Sequence, residues 1–159
     1  MKQTKLKTFA VVSACMMGML SSSAQGVMQR TANYHPDGRG FSCVNGNNRY
    51  TRALYGSVDE WRLETSDRPI FAIFKKNNHR NIRFVIKCNG QAFQLDSVEY
   101  CKARYEAGKR EYLMKDKRWG GGVLKLSVLA YPQTEGAVWK FAAENFGKAK
   151  IEIVGMICE

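Results

Sequence analysis

Apolar and polar residues alternate along much of this chain, and this period of two constrains its fold more than any other feature. In the segment 82–88, four apolar side chains at even positions share one face, whereas Arg83 and Lys87 lie on the other. Because successive side chains of a strand point to opposite faces of a sheet, the pattern predicts half-buried β-strands. The same alternation recurs in the segments 123–130, 137–143 and 151–153.

Shorter apolar runs complete an all-β prediction. They place further strands at 49–54, 61–65, 70–74, 92–95, 98–105 and 110–114. Turn-forming residues separate them, including Asn89-Gly90, a pair typical of tight hairpins. The segment 138–146 also fits a helix, but its β-rich flanks favour a strand. Many short strands at close spacing predict an antiparallel β-sandwich over residues 34–159.

Residues 1–24 have the features of a cleavable signal peptide. Three early lysines precede an apolar run from Thr8 to Leu20, and small residues lead to a cleavage site after Ala24. A transmembrane helix needs roughly 20 apolar residues, and the run from Thr8 to Leu20 is shorter than that. We therefore interpret it as part of the signal peptide and expect no transmembrane segment after cleavage. The polar segment 25–33 is then a loose arm, and the protein is exported to the periplasm or the cell exterior. A lipoprotein anchored at Cys15 is the alternative.

The charge is strongly basic, with 25 Lys and Arg against 14 Asp and Glu and a net charge of +11. The basic residues are scattered over the polar faces of strands. The grouping that comes closest to a basic patch consists of Lys109-Arg110 with Lys115, Lys117 and Arg118. A solvated face explains this distribution better than a nucleic-acid site, so we expect no nucleic-acid partner. An acidic polysaccharide is the partner more available outside the cell.

Four cysteines remain once the signal peptide is removed, and they are Cys43, Cys88, Cys101 and Cys158. Export permits disulfides, and four cysteines allow three pairings. Free, buried thiols are the alternative. None of the four lies in a close pair of the kind that binds zinc, so we expect no metal and no cofactor.

No set of residues in the sequence predicts a catalytic site. His35 and His79 lie far apart in turn-like sequence, where surface loops are expected, and the acidic residues form no pair that can be placed across a cleft. Among the aromatic residues, Trp139 alternates with Lys140 within a strand and is expected in the core. Trp119, beside three glycines, is the better candidate for an exposed ring that stacks on a sugar.

Several stretches together carry a family resemblance. They are Tyr34-His35-Pro36-Asp37-Gly38, Phe41 to Asn45, Asn48 to Gly56, Arg62 to Pro69, Tyr105 with Gly108 and Arg110 to Leu113, Asp116 to Gly122, and Glu135 to Phe141. The run resembles the N-terminal β-sandwich domain, of unknown function, of large secreted bacterial proteins related to six-hairpin (α/α-barrel) glycosidases. The resemblance covers nearly all of residues 33–154.

This resemblance implies that the general acid and base lie mainly on an α/α-barrel domain that follows the sandwich. The present chain is therefore expected to be a truncated, non-catalytic module of an exported polysaccharide-degrading protein. A free-standing carbohydrate-binding or adhesion module, or a small enzyme with an unrecognised site, are the alternatives. Without a barrel, an apolar patch and the last strand, 151–154, would promote association with other chains.

Six residues are candidates for ligand binding. The polar residues of the matched stretches supply five of them, and the exposed ring expected beside the glycines is the sixth. They are Arg49, Arg52, Glu64, Asp67, Arg68 and Trp119.

Overall fold

The computed structural model describes residues 33–47, 50–56, 61–76, 78–131 and 135–158, with the backbone alone at 50–52 and 55. Twelve strands lie in these ranges. They are β1 (His35–Asp37), β2 (Gly40–Val44), β3 (Tyr50–Gly56), β4 (Trp61–Ser66), β5 (Phe71–Lys75), β6 (Asn78–Cys88), β7 (Gln91–Gln94), β8 (Tyr100–Glu106), β9 (Lys109–Lys115), β10 (Val123–Tyr131), β11 (Gly136–Glu144) and β12 (Ile151–Cys158).

The strands form two antiparallel sheets, which agrees with the predicted all-β sandwich class. Sheet A has the order β1-β2-β8-β9-β10-β11, and sheet B has the order β12-β6-β5-β4-β3, with β7 also paired to β6. In the described part of the chain the only helical segments are two 3-10 turns, Leu95–Ser97 and Lys117–Trp119. No helix there is long and apolar enough to cross a bilayer.

The inner faces of the two sheets build one hydrophobic core. A transverse row of sheet A illustrates how register places side chains on the inner face. It consists of Cys43, Ala103, Tyr112, Leu126 and Phe141. From sheet B, Phe71 packs edge-on against Tyr112 with ring centroids 5.8 Å apart, and Phe84 packs against Phe141 at 5.1 Å. Trp139 is half-buried and packs against this core, as its alternation predicted.

The sequence underestimated the strands at both ends of the sandwich. It assigned 36–38 to a turn, whereas Pro36 and Asp37 belong to β1, a short edge strand in which proline is tolerated. It began β6 at 82 and ended the last strand at 154, but the ladder continues to the pair Cys158 and Asn81. Ladder pairing there continues past the clear alternation of apolar and polar residues.

Several predictions concern residues outside this description or differ from it in detail. The signal peptide 1–24 and residues 25–32 of the predicted arm lie outside the described residues. Both histidines are exposed, as predicted, although His35 lies in β1 and His79 in β6 rather than in loops. The segment 138–146 is strand up to residue 144, so the helical alternative is wrong.

Candidate functional site

Six polar residues meet between the two sheets, where β4 ends and the chain bends into β5. We call them the intersheet polar cluster. They are Tyr34, Ser66, Asp67, Arg68, Arg110 and Tyr112. Ser66 is the last residue of β4, and Asp67 and Arg68 form the bend. Arg110 and Tyr112 reach the cluster from the inner face of β9 in the opposite sheet.

Arg110 is the centre of the cluster and is fully buried. Its Nη2 donates hydrogen bonds to the Ser66 carbonyl oxygen, at 2.8 Å, and to the Tyr34 hydroxyl. The Tyr34 hydroxyl in turn donates to Asp67 Oδ1 at 2.5 Å. The guanidinium lies 3.8 Å from the same carboxylate oxygen, so Tyr34 bridges a buried ion pair.

Tyr112 adds a second link between the sheets. Its hydroxyl donates to the Ser66 carbonyl oxygen at 2.7 Å and accepts a 3.4 Å hydrogen bond from Arg110 Nε. Burial raises the pKa of this phenol, so it stays protonated and remains a donor. The end of β4 is therefore held by two side chains of β9.

Arg68 ties its own bend to two other segments through their carbonyl oxygens. Its Nε donates to Gly46 at 3.2 Å, and its Nη1 donates to Asp96 at 3.1 Å and to Val98 at 2.6 Å. The loop after β2 can approach this bend only because residue 46 is glycine. A Cβ on Gly46 would lie 2.3 Å from the Cβ of Asp67.

The contacts of this cluster are those expected of a structural site rather than of a catalytic one. Asp67 is only 4% exposed, and both its hydrogen-bonding tyrosine and its arginine come from within the fold. A general acid or base must come within hydrogen-bond reach of a substrate proton. Because its partners fix the carboxylate between the sheets, its position is that of a structural group.

The predicted ligand-binding residues do not assemble into one site. Asp67 and Arg68 lie together in the cluster. Glu64 is half-buried on β4 and forms a 2.8 Å ion pair with Arg62. The backbone of Arg52 lies in β3, but its side chain, like the whole of Arg49, lies outside the described residues.

The prediction that Trp119 presents an exposed ring is wrong. Its side chain is 2% exposed. Phe93 stacks on it with centroids 6.3 Å apart, and Phe146 covers it at 5.5 Å. The neighbouring glycines serve a reversal, as predicted, because Gly120 ends the 3-10 turn in the left-handed region at φ 58°.

Among the five basic residues that come nearest to a patch in the sequence, the expectation of a solvated face is wrong for Arg110. Arg110 is buried, so it contributes nothing to the surface. Lys109, Lys117 and Arg118 pair with Glu111, Glu99 and Asp116 respectively, at 2.6 to 2.7 Å. Of the five residues, this leaves only Lys115, which lies over the Tyr100 ring at 5.9 Å.

The Asp116 carboxylate caps the second 3-10 turn. It accepts hydrogen bonds from the backbone N–H groups of Arg118 and Glu99 and from the Arg118 guanidinium. The Arg118 side chain is the largest cause that lowers the pKa of Asp116 to about 2, and the two backbone bonds lower it further. This acid is therefore also engaged in holding the fold.

All four cysteines of the predicted mature chain are free thiols. The sequence had left both disulfides and free thiols as alternatives. Three of them, Cys43, Cys88 and Cys101, are buried, and Cys158 is partly exposed. Burial raises the pKa of Cys101 to about 12, which makes its thiolate scarce at neutral pH. In the described part of the chain, no three or more His, Cys, Asp or Glu residues are grouped so that they could hold a metal ion.

Sequence reasoning missed four members of the cluster. Tyr34, Ser66 and Tyr112 lay within matched stretches, but none of them was linked to Asp67. Arg110 was assigned to the surface because of its charge. One available signal was the period of two, because it places Arg110 on the same face as Tyr112 and Met114.

Comparison with known proteins gives one match. Residues 78–156, just under half of the chain, match the family described as "Domain of unknown function (DUF4450)". No curated protein and no solved structure matches the chain. The match runs from the start of β6 into β12, so it spans strands of both sheets and includes Arg110 and Tyr112. This part of the chain is thus similar to a domain of unknown function, as the resemblance in the sequence implied.

Proposed function

We propose that this chain is a non-catalytic β-sandwich module of an exported polysaccharide-degrading protein. The observation that carries the proposal is the use of Asp67 within the intersheet polar cluster. It is one of the two buried acids of the matched stretches, and its carboxylate is bound by Tyr34 and faces Arg110. A hydrolytic carboxyl group must instead face a cleft that holds the glycosidic bond.

The other acids near the bend and the glycine loop support the same proposal. Asp116 is bound by Arg118 and two backbone amides, and Glu64 is bound by Arg62. Each of these carboxylates forms an ion pair with an arginine two residues away in the sequence. The resemblance to the front domain of six-hairpin glycosidase-like proteins supplies the association with polysaccharides, since in such proteins the acid and base are expected on the barrel.

Hydrolysis assays test the non-catalytic part of the proposal. We expect the purified chain to release no reducing sugar from a panel of plant and host polysaccharides that includes acidic ones. Turnover that disappears in Glu64→Gln or in another single carboxylate variant would overturn it. Binding without hydrolysis would favour a free-standing carbohydrate-binding module instead.

Two further observations test the setting of the module. A reading frame for an α/α-barrel directly downstream of this gene, or fused to it in close relatives, is expected. N-terminal sequencing of exported protein should begin at Gln25, because Ala24 ends the small-residue cleavage site. A mature chain that begins at a lipidated Cys15 would contradict this cleavage and place the module on a membrane surface.

A further inference from the structure

Five of the described strands have a free edge, and three of these carry features that block pairing with other chains. β1 and β11 border sheet A, β3 and β12 border sheet B, and β7, which has only four residues, pairs with β6 alone. β1 has three residues and contains Pro36, which has no N–H to donate. β3 has two register shifts against β4, and such irregularities make an edge a poor template.

The other two edge strands, β11 and β12, lack these features. They have nine and eight residues and run in unbroken register with β10 and β6. Neither contains proline, and the inward-facing positions of β11 carry Trp139 and Phe141 rather than charges. The two edges lie on the same side of the sandwich, since Phe84, whose backbone pairs with β12, packs against both aromatic rings.

The charges on β11 select a particular partner for its free edge. When two identical antiparallel strands pair about a two-fold axis perpendicular to the sheet, the residue on the axis faces its own copy. With Ala142 on the axis, Lys140 of each copy faces Glu144 of the other. With Lys140 on the axis, two like charges would meet, which destabilises a sheet.

Both charged groups are available for such a contact. Lys140 is exposed and has no ion-pair partner among the described residues. Glu144 pairs with Lys125 at 2.7 Å, and both side chains are 47% exposed, so a second lysine can approach the carboxylate. On β12, by contrast, the only charged residue in the strand is Glu152, and it is already paired with Lys87 on β6.

We propose that β11 pairs antiparallel with β11 of a second copy of this chain, about a two-fold axis at Ala142. Residues 140–144 of the two copies form the ladder, and sheet A continues from one copy into the other. The exposed pair Leu129 and Val138, which face each other across β10 and β11, lies beside this seam. The interface is independent of the proposed function.

Charge reversal and charge exchange test the interface in the purified full-length protein. Sedimentation equilibrium is expected to show a reversible dimer. Lys140→Glu or Glu144→Lys alone should weaken the dimer about tenfold, because each places like charges opposite one another twice. The exchange Lys140→Glu with Glu144→Lys should restore it. Lys87→Glu, which breaks an exposed pair beside β12, is the matched control and should leave the dimer unchanged.

A cross-link gives a second, independent readout. In Ala142→Cys, the two introduced thiols face each other across the axis, where Cβ atoms of paired residues lie about 4.5–5.5 Å apart. Oxidised glutathione should join them into a covalent dimer while it is itself reduced. The proposal is overturned by a protein that is monomeric up to high micromolar concentration, by a dimer that Lys140→Glu leaves intact, or by cross-linking through the native Cys158 on β12 instead.

Discussion

Replacing Arg110 with methionine removes the charge at the centre of the intersheet polar cluster while it keeps most of the side-chain volume. The variant loses the hydrogen bonds to the Ser66 carbonyl and the Tyr34 hydroxyl, and it leaves Asp67 buried without its cation. Removing one partner of a buried ion pair costs about 3–5 kcal/mol, because the remaining charge is neither hydrated nor compensated. We therefore expect the free energy of unfolding to fall by about 4 kcal/mol.

Urea denaturation followed by intrinsic fluorescence measures this change. With a slope of about 2 kcal/mol per molar urea, typical of a domain of this size, the midpoint should fall by about 2 M. Arg104→Met is the matched control, since Arg104 pairs with Glu106 and Glu111 on the outer face and is 25% exposed. Its loss should cost less than about 1 kcal/mol.

Two related variants keep the argument testable if Arg110→Met does not fold. Tyr34→Phe removes only the bridging hydroxyl and should cost about 1–2 kcal/mol. Adding Asp67→Leu to Arg110→Met removes the uncompensated charge and should recover much of the lost stability. Equal effects of Arg110→Met and Arg104→Met, or a double variant less stable than Arg110→Met, would refute the account of the cluster as a buried ion pair.

Three other predictions address separate parts of the fold. Asp116, whose pKa of about 2 lies below its usual 3.8, should contribute about 2 kcal/mol that is present above pH 4 and lost as the pH falls towards 2; acid titration of unfolding, with Asp116→Asn lacking this dependence, checks it. In native protein treated with iodoacetamide, mass spectrometry should find Cys158 alkylated well before Cys101, and the reverse order would contradict the burial of Cys101. Gly46→Ala should cost about 2–3 kcal/mol through overpacking, whereas Gly90→Ala, with nothing within 4 Å of the new Cβ, should cost about 1 kcal/mol from its positive φ.

Local alternation was enough to predict the strands that form the centre of each sheet. In β10, the apolar positions Leu124, Leu126 and Val128 are all fully buried, as a period of two requires. The same rule failed for β1, because an edge strand with solvent on most sides has little reason to alternate. It also underestimated β12, whose register is fixed by the neighbouring β6 rather than by its own pattern.

The intersheet polar cluster was harder to predict because its contacts join distant parts of the chain. Asp67 and Arg68 were singled out, but their partners lie far from them in sequence, at Tyr34, Gly46 and Val98. Arginine is rarely buried, so its charge predicts an exposed side chain. This expectation prevailed over the position of Arg110 on the inner face of its strand.

The burial of Trp119 was missed for a related reason. Nearby glycines are typical of an exposed turn, and this one is a turn. The rings that cover the indole, Phe93 and Phe146, come from β7 and from the loop before β12. The sequence around Trp119 therefore could not predict its burial, because the covering rings come from separate segments of the chain.

The pairing of β6 with β12 also governs when this sandwich can be completed. The ladder joins Cys88 to Ile151, so sheet B stays open on one side while some sixty intervening residues are being synthesised. During that interval the apolar strand Ile82 to Cys88 exposes a row of unpaired amides, and such rows are sites of aggregation in slow-folding β proteins. Closure of sheet B therefore comes late in folding, and a chaperone that shields the free edge of β6 would act during this interval.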